Sequence, residues 1–289
     1  MTDTTAIPPA SESKQKVAIL GSVPPDMLVT LSGQHDLITG AELDGMAQAA
    51  RAMIARGLTS AIGGVDDRLL TLLPGLKEII SVGAGREMFD VPALEAREIA
   101  LRTTPDVMTL DVADCAVGLI FSLLRNIPAN DLFVRRGDWK RGRPAPGRRI
   151  SGCRVGVVGL GRIGSRIAGI LSGLGCVLAY NGRSPQSVDW RFEPDVAALA
   201  ASVDVLVLSC AGGDATRHLI DSRVLAALGR DGYLVNVARG SVVDESALLA
   251  ALETGAIAGA ALDVFRSVPG LDPRFMALQN CIFSRTRRF

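Results

Sequence analysis

Gly159, Gly161 and Gly164 fall in the pattern Gly-x-Gly-x-x-Gly within Val155–Gly164, which reads Val-Gly-Val-Val-Gly-Leu-Gly-Arg-Ile-Gly. An apolar strand runs straight into this turn, and Ser165–Leu174 then carries apolar residues at helical spacing. Strand, glycine turn and helix in that order are what a dinucleotide fingerprint requires. Gly159 allows the tight turn, Gly161 lets a pyrophosphate approach the backbone, and Gly164 lets the helix pack close to the strand. The free N–H groups at the helix start, with the helix dipole behind them, favour negative charge. A glycine turn that merely connects two elements is the alternative, and the flanking strand and helix weigh against it.

The end of the second strand of such a unit selects the cofactor. An acidic residue about 20 positions after the fingerprint binds the ribose 2′-OH of NAD, whereas an arginine accommodates a 2′-phosphate. The chain has Tyr180-Asn181-Gly182-Arg183-Ser184 there, with no carboxylate. Arg183 can fork onto a phosphate and Ser184 can donate a further hydrogen bond. NADP is therefore favoured over NAD, against the alternative of an ordinary exposed loop arginine. Farther on, Leu234-Val235-Asn236-Val237-Ala238-Arg239-Gly240 sets an arginine just past the carboxyl end of a buried strand. Ligands bind at that edge of an open α/β sheet. A guanidinium there can clamp a substrate carboxylate and polarise the adjacent carbonyl, or it can pair with Asp244 or Glu245 at the next helix start.

The elements that must position these groups alternate along the chain. Strands are expected at Val17–Leu20, Ser60–Gly63, Glu78–Val82 and Ile99–Arg102, with a helix over Leu43–Arg56. A long helix over Leu110–Asn126 opens a second domain, and the basic, Pro/Gly-rich Arg135–Arg149 reads as a surface connection. From Arg154 strands end at Val158 and cover Val177–Tyr180, Val203–Leu208, Tyr233–Val237 and Gly259–Val264, separated by helices near Val196–Ala201, Arg223–Leu228 and Glu245–Glu253. That alternation is a parallel sheet with helices on its faces.

Composition narrows the class. The 289 residues suffice for two domains, 48% are apolar and only 4% aromatic, which suits α/β packing. Basic and acidic side chains nearly cancel, 31 against 30, so there is no electrostatic case for nucleic acid or a membrane surface. No apolar run reaches the roughly 18 residues of a membrane span. Met1–Lys14 is polar, lacks a signal-peptide core and reads as a disordered tail. Cys115, Cys153, Cys176, Cys210 and Cys281 are scattered without metal-ligand spacing, as in a reduced cytoplasmic protein that binds no metal.

Asn236-Val237-Ala238-Arg239-Gly240-Ser241-Val242-Val243-Asp244-Glu245 resembles a signature of the D-isomer-specific 2-hydroxyacid dehydrogenases. So do Gly83-Ala84-Gly85, Thr104-Pro105-Asp106-Val107, Val112-Ala113-Asp114, Gly259–Phe265 and the fingerprint, in the family's order, from about Gly63 to Ser284. Asn181–Ser184 and Cys210–Arg217 look most like the NADPH-preferring glyoxylate/hydroxypyruvate reductase branch. The resemblance implies two doubly wound α/β domains, a Rossmann cofactor domain (110–284) inserted into a flavodoxin-like substrate domain (15–109), in a chain that assembles as a homodimer. It implies that Arg239 binds the carboxylate and carbonyl of a small 2-oxo acid, helped by backbone N–H groups of Ala84 and Gly85. Asp263 would hold the nicotinamide carboxamide, and Gly161–Gly164 the pyrophosphate. Gly159, Arg162, Ile163, Arg183, Ser184, Cys210, Thr216 and Val237 complete the expected cofactor set. Hydride would pass to the substrate's C2 while a histidine, paired with a glutamate, protonates the oxygen.

The last motifs depart from the family pattern. Asp-Val-Phe-Glu-x-Glu-Pro appears as Asp263-Val264-Phe265-Arg266-Ser267-Val268-Pro269, so Val268 stands where the glutamate belongs. The stretch before the histidine appears as Asn280-Cys281-Ile282-Phe283-Ser284-Arg285-Thr286, so Thr286 stands in the histidine's place. Of the two histidines present, His35 and His218, neither reads as a replacement acid. The residues 285–289 read as an aberrant tail, frameshifted where Pro-His codons shift to Arg-Thr, in place of the family's returning segment. Impaired reduction is the expectation, with a catalytically decayed nucleotide-binding protein as the alternative. A methyltransferase would also use a glycine turn, but the later motifs and Arg183 argue against it.

Overall fold

The computed structural model describes residues 14–60, 64–83, 85–266 and 270–285. All but Lys14 of the expected tail lies outside them, as do Ala84, Val268 and Thr286. The chain divides into two compact units, one ending at Pro105 and the other beginning at Asp106. Both are α/β with parallel sheets, the expected class.

The first unit has strands β1 (Lys16–Ile19), β2 (Asp36–Ile38), β3 (Arg56–Ser60), β4 (Glu78–Val82) and β5 (Ala100–Thr103) in the order β2-β1-β3-β4-β5, all parallel. Glu78 in β4 is bound by Arg56 of β3 and Arg102 of β5, which pull its carboxyl below the usual range and bridge three strands. Two expectations are corrected here. The helix over Leu43–Arg56 is two short helices, Gly40–Gly45 and Gln48–Ala52, because the chain turns extended at Met46, just past a glycine that supports helix poorly. The strand expected at Ser60–Gly63 is β3, ending at Ser60, while residues 61–63 lie outside the described set. Gly57 hid this strand; the buried Leu20 side chain packs over it, and a Cβ there would come within 2.5 Å of Leu20 Cδ1, so Leu20 would have to shift.

The second unit has β6 (Arg154–Val158), β7 (Val177–Asn181), β8 (Arg191–Phe192), β9 (Val205–Leu208), β10 (Tyr233–Asn236), β11 (Gly259–Leu262) and β12 (Cys281–Phe283). Their order, β12-β11-β10-β9-β6-β7-β8, reverses direction between β6 and β9. The strands alternate between two cores. Val155, Val157, Val205, Val207 and Val235 face helices Thr109–Leu124 and Arg162–Gly173. Leu206, Leu208, Leu234 and Ala260 face helices Val196–Ala201, Ser222–Leu228 and Glu245–Glu253. Strands covered on both faces read as continuous apolar runs, which is why these were easily placed. Among the described residues no helix is long and apolar enough to cross a membrane, and no group of side chains could hold a metal ion.

Burial in this unit leaves a titration signature. The Cys281 thiol, at the start of β12, is pushed up to about 12 by burial. A raised pKa gives stability that is complete below the unfolded thiol's value near 8.5 and is lost as pH rises toward 12. Between pH 8.5 and 10 this thiol should therefore remove about 1.5 kcal/mol of stability. Urea unfolding of Cys281→Ala at the two pH values is expected to show a correspondingly smaller loss. An identical loss would assign the alkaline effect to other groups.

Candidate functional site

The carboxyl ends of β11, β10, β9, β6 and β7 are neighbours in the second sheet, and the predicted cofactor residues and Arg239 follow these strands. At the end of β6, Gly159 has φ +92°, and a Cβ on it would come within 2.5 Å of Cys210 Cα. At Gly164 a Cβ would lie 2.1 Å from the Gly159 carbonyl oxygen and 2.7 Å from Ser209 Oγ. Gly161 is different, with open space where its side chain would stand. It is the N-cap of the 12-residue helix Arg162–Gly173, and no side chain caps that end. Two glycines thus let the turn close against β9, and the third leaves room for a ligand at uncapped N–H groups. Uncapped N–H groups at a helix start, with the dipole behind them, favour an anionic group. Ile163 is half-buried, and Arg162 pairs with Asp106 at 3.1 Å, both side chains largely exposed.

At the end of β7, Asn181 is buried and donates from Nδ2 to the Glu193 and Pro194 carbonyls, both at 2.9 Å. Arg183 and Ser184 follow on an exposed loop, and the next carboxylate along the chain is Asp189. At the end of β9, burial pushes the Cys210 thiol up to about 11. Thr216 folds its own loop back by donating to the Ala211 carbonyl at 2.8 Å.

Arg239 stands just beyond β10. Asn236, 1% exposed, shapes its turn: Nδ2 donates to the Arg239 carbonyl at 3.0 Å and Oδ1 accepts from Ala238 N–H at 3.0 Å. The Arg239 side chain lies along Gly212, where a Cβ would approach its Cγ to 2.8 Å, and Nη1 donates to the Ala238 carbonyl at 2.8 Å. Asp244 is engaged elsewhere, capping the next helix through Ser246 and Ala247 N–H. Glu245 accepts from the Arg266 N–H at 2.6 Å. Gly240 is required because the Phe265–Arg266 backbone passes within 2.1 Å of where its Cβ would be. Val237 is buried and donates to the Leu208 carbonyl at 3.2 Å, holding β9 and β10 in register at this edge. Beyond β11, Asp263 is 6% exposed, its N–H donates to the Asn236 carbonyl at 3.0 Å, and its carboxylate lies 3.9 Å from Cys115 Sγ.

In the first unit Gly85 follows β4, half-buried, and the neighbouring Gly83 N–H donates to Thr104 Oγ1 at 2.9 Å. His218 is at φ +50°, with its N–H on the Ser241 carbonyl and Nε2 3.1 Å from Arg266 Nη1. A guanidinium only donates, so in this contact the ring nitrogen stands as the acceptor. Sequence reasoning missed Asn236 and Asp106 as supports of Arg239 and Arg162. A polar residue at the end of an otherwise apolar strand was the available signal for Asn236; nothing local marked Asp106.

Residues 117–285 match the family model described as D-isomer specific 2-hydroxyacid dehydrogenase, NAD binding domain. The chain is 42% identical over 240 residues to glyoxylate/hydroxypyruvate reductase HPR3 of Arabidopsis thaliana, covering 82% of this chain and 73% of that protein. It is 40% identical over 273 residues to 2-ketogluconate reductase of Gluconobacter oxydans, covering 93% and 87%. Among solved structures, the NADPH-dependent glyoxylate/hydroxypyruvate reductase of Sinorhizobium meliloti in complex with NADP and malonate superposes with a TM-score of 0.85 at 33% identity, over 94% of this chain and 86% of that one.

Proposed function

Because the chain belongs to the D-isomer-specific 2-hydroxyacid dehydrogenase family, we propose that it reduces a small 2-oxo acid of the glyoxylate or hydroxypyruvate type to the D-2-hydroxy acid, with NADPH in preference to NADH. The observation that carries this reading is the placing of Arg239 on the same sheet edge as the fingerprint, fixed there by Asn236 and Gly212. The cofactor reading is supported by the exposed Arg183 and Ser184 at the end of β7 and by the solved relative that holds NADP. Relatives that reduce 2-oxo acids, glyoxylate/hydroxypyruvate and 2-ketogluconate reductases, support the substrate class.

Bound NADPH would supply the hydride. The uncapped first-turn N–H groups after Gly161 would hold its pyrophosphate, Arg183 and Ser184 its 2′-phosphate, and Asp263 its carboxamide. Arg162, Ile163, Cys210, Thr216 and Val237 line the remainder. Arg239 forks onto the substrate carboxylate and carbonyl, orienting C2 and drawing electrons toward the oxygen, with the backbone of Ala84 and Gly85 as further donors. Val268 and Thr286 offer no side chain able to replace the family's glutamate and histidine, so water supplies the proton and turnover is slow. That substitution also favours the second reading, a nucleotide-binding protein without useful catalysis. The assembly proposed is a homodimer, a reading supported by the exposed apolar side chains of Ile127, Val134 and Trp139, in the cytoplasm, where the free cysteines stay reduced.

Steady-state oxidation of NADPH with glyoxylate or hydroxypyruvate, beside a fluorescence titration of NADPH, tests both readings. Arg183→Ala is expected to weaken NADPH about tenfold or more, the scale of a lost hydrogen bond to a charged group, and to leave NADH nearly unchanged. Equal losses for the two cofactors would remove Arg183 from the 2′-phosphate.

A further inference from the structure

The loop that carries Arg183 and Ser184 is tied to the fingerprint by a residue with no role in the reading above. Gln186 Nε2 donates to the Leu160 carbonyl at 2.9 Å, across 26 positions of chain. Its backbone N–H donates to the Tyr180 hydroxyl at 2.6 Å, and that hydroxyl faces the Gln186 carbonyl at 3.4 Å. Tyr180 is 1% exposed at the end of β7 and tilts against Phe192, with ring centroids 5.4 Å apart. Gln186 is therefore anchored through its backbone to a buried ring, and only its side chain reaches out to the glycine turn.

Leu160 lies between the first two fingerprint glycines. Its carbonyl and the Gly161 N–H belong to one planar trans peptide and point in opposite directions. A donor on the Leu160 carbonyl, joined by Ser165 Oγ at 3.4 Å, therefore also sets the direction of the Gly161 N–H. Gly161 is the glycine with open space around it, at the uncapped helix end. One amide group thus connects the two places that would grip the two anionic parts of an NADPH molecule.

We propose that Gln186 is a positioning residue that couples the Arg183–Ser184 loop to the fingerprint turn and thereby sets the preference for NADPH over NADH. The inference rests on the cofactor reading above. Held against the turn, the loop presents Arg183 at a fixed distance from the pyrophosphate, so the 2′-phosphate meets an already ordered partner. Released, the loop must be ordered by the ligand itself, and the cost falls on NADPH, the ligand that uses the loop.

The test measures Kd for NADPH, NADH and ADP-ribose, which has a pyrophosphate and no 2′-phosphate, with the full chain. The variants are Gln186→Ala and the nearly isosteric non-donor Gln186→Glu, each alone and combined with Arg183→Ala, with melting temperatures measured in parallel. Gln186→Ala is expected to weaken NADPH about 5–20-fold, and NADH and ADP-ribose only about 2–3-fold, corresponding to one lost hydrogen bond and a loosened turn. In the Arg183→Ala background the loss for NADPH should shrink to that for NADH, because coupled residues are non-additive. Gln186→Glu should behave like Gln186→Ala or worse, since a carboxylate cannot donate to the Leu160 carbonyl. A full NADPH loss that persists without Arg183 would mean that Gln186 touches the phosphate itself, and would overturn the proposal. So would an unchanged NADPH-to-NADH ratio in a wild type that prefers NADPH. A wild type without that preference would instead overturn the cofactor reading.

Discussion

The double substitution Val268→Glu with Thr286→His, made in a chain whose residues 285–289 are replaced by the family's returning segment, is expected to raise kcat for glyoxylate reduction by about 10²–10⁴, the range contributed by a positioned general acid. Hydride arrival at C2 leaves negative charge on the substrate oxygen, and a proton delivered in the same step removes it. Arg239 can stabilise that charge but cannot donate readily, since a guanidinium does not deprotonate in this range. The described histidine nearest this turn in sequence, His218, has its Nε2 facing Arg266 and acts as an acceptor there. Thr286→His alone should recover little, because an imidazole without its carboxylate is poorly oriented and keeps an ordinary pKa. Val268→Glu alone should recover nothing, as there is no imidazole to tune. The two gains should therefore be strongly non-additive. The pH profile offers a second readout: the doubly substituted chain should lose activity as pH rises through the new histidine's pKa, and the parent chain should show no such step. Parent turnover within a few-fold of the double variant would show that Arg239 and water suffice.

Arg239→Lys should lower kcat/KM for 2-oxo acids by about 10²-fold, with NADPH affinity changed less than about twofold. Lysine keeps the charge but not the planar fork that can meet a carboxylate and a carbonyl together. The surroundings are built for that shape: Gly212 leaves the Arg239 stem room at a distance no Cβ would tolerate, and Asn236 fixes the backbone from both sides. Gly212→Ala should accordingly reproduce part of the loss, although residue 239 is untouched. Kinetics and a separate NADPH titration on the same preparations check the split. Unchanged glyoxylate reduction by Arg239→Lys would move the substrate site elsewhere.

Much of the second unit was legible because its signals are local. β6 and β9 are apolar runs of four or five residues, the glycine pattern sits between strand and helix, and Asp195, Asp221 and Asp244 mark helix starts. The first unit was less legible. Its strands are short and mixed in character, β3 opens with Arg-Gly, and the stripe Leu43, Met46, Ala50 and Met53 imitates a single helix across a break. The edge strands β2, β8 and β12 have two or three residues each and exist through pairing with a distant neighbour, so no window of sequence announces them.

By itself, then, the amino-acid sequence determined the strand–turn–helix fingerprint, the absence of a carboxylate after β7, the place of Arg239 past a buried strand and the residues at 268 and 286. Each is a matter of residue type at a near position along the chain. Only the tertiary structure decided which groups hold them: Gln186 on Leu160, Asp106 on Arg162, Gly212 beneath Arg239, Arg266 on His218. These contacts span from 26 to 56 positions. They arise because the parallel order β10-β9-β6-β7 brings four carboxyl ends to one edge. Hydrogen bonds and steric limits act over a few ångströms of space, and distance along the chain carries no record of them until the sheet has formed.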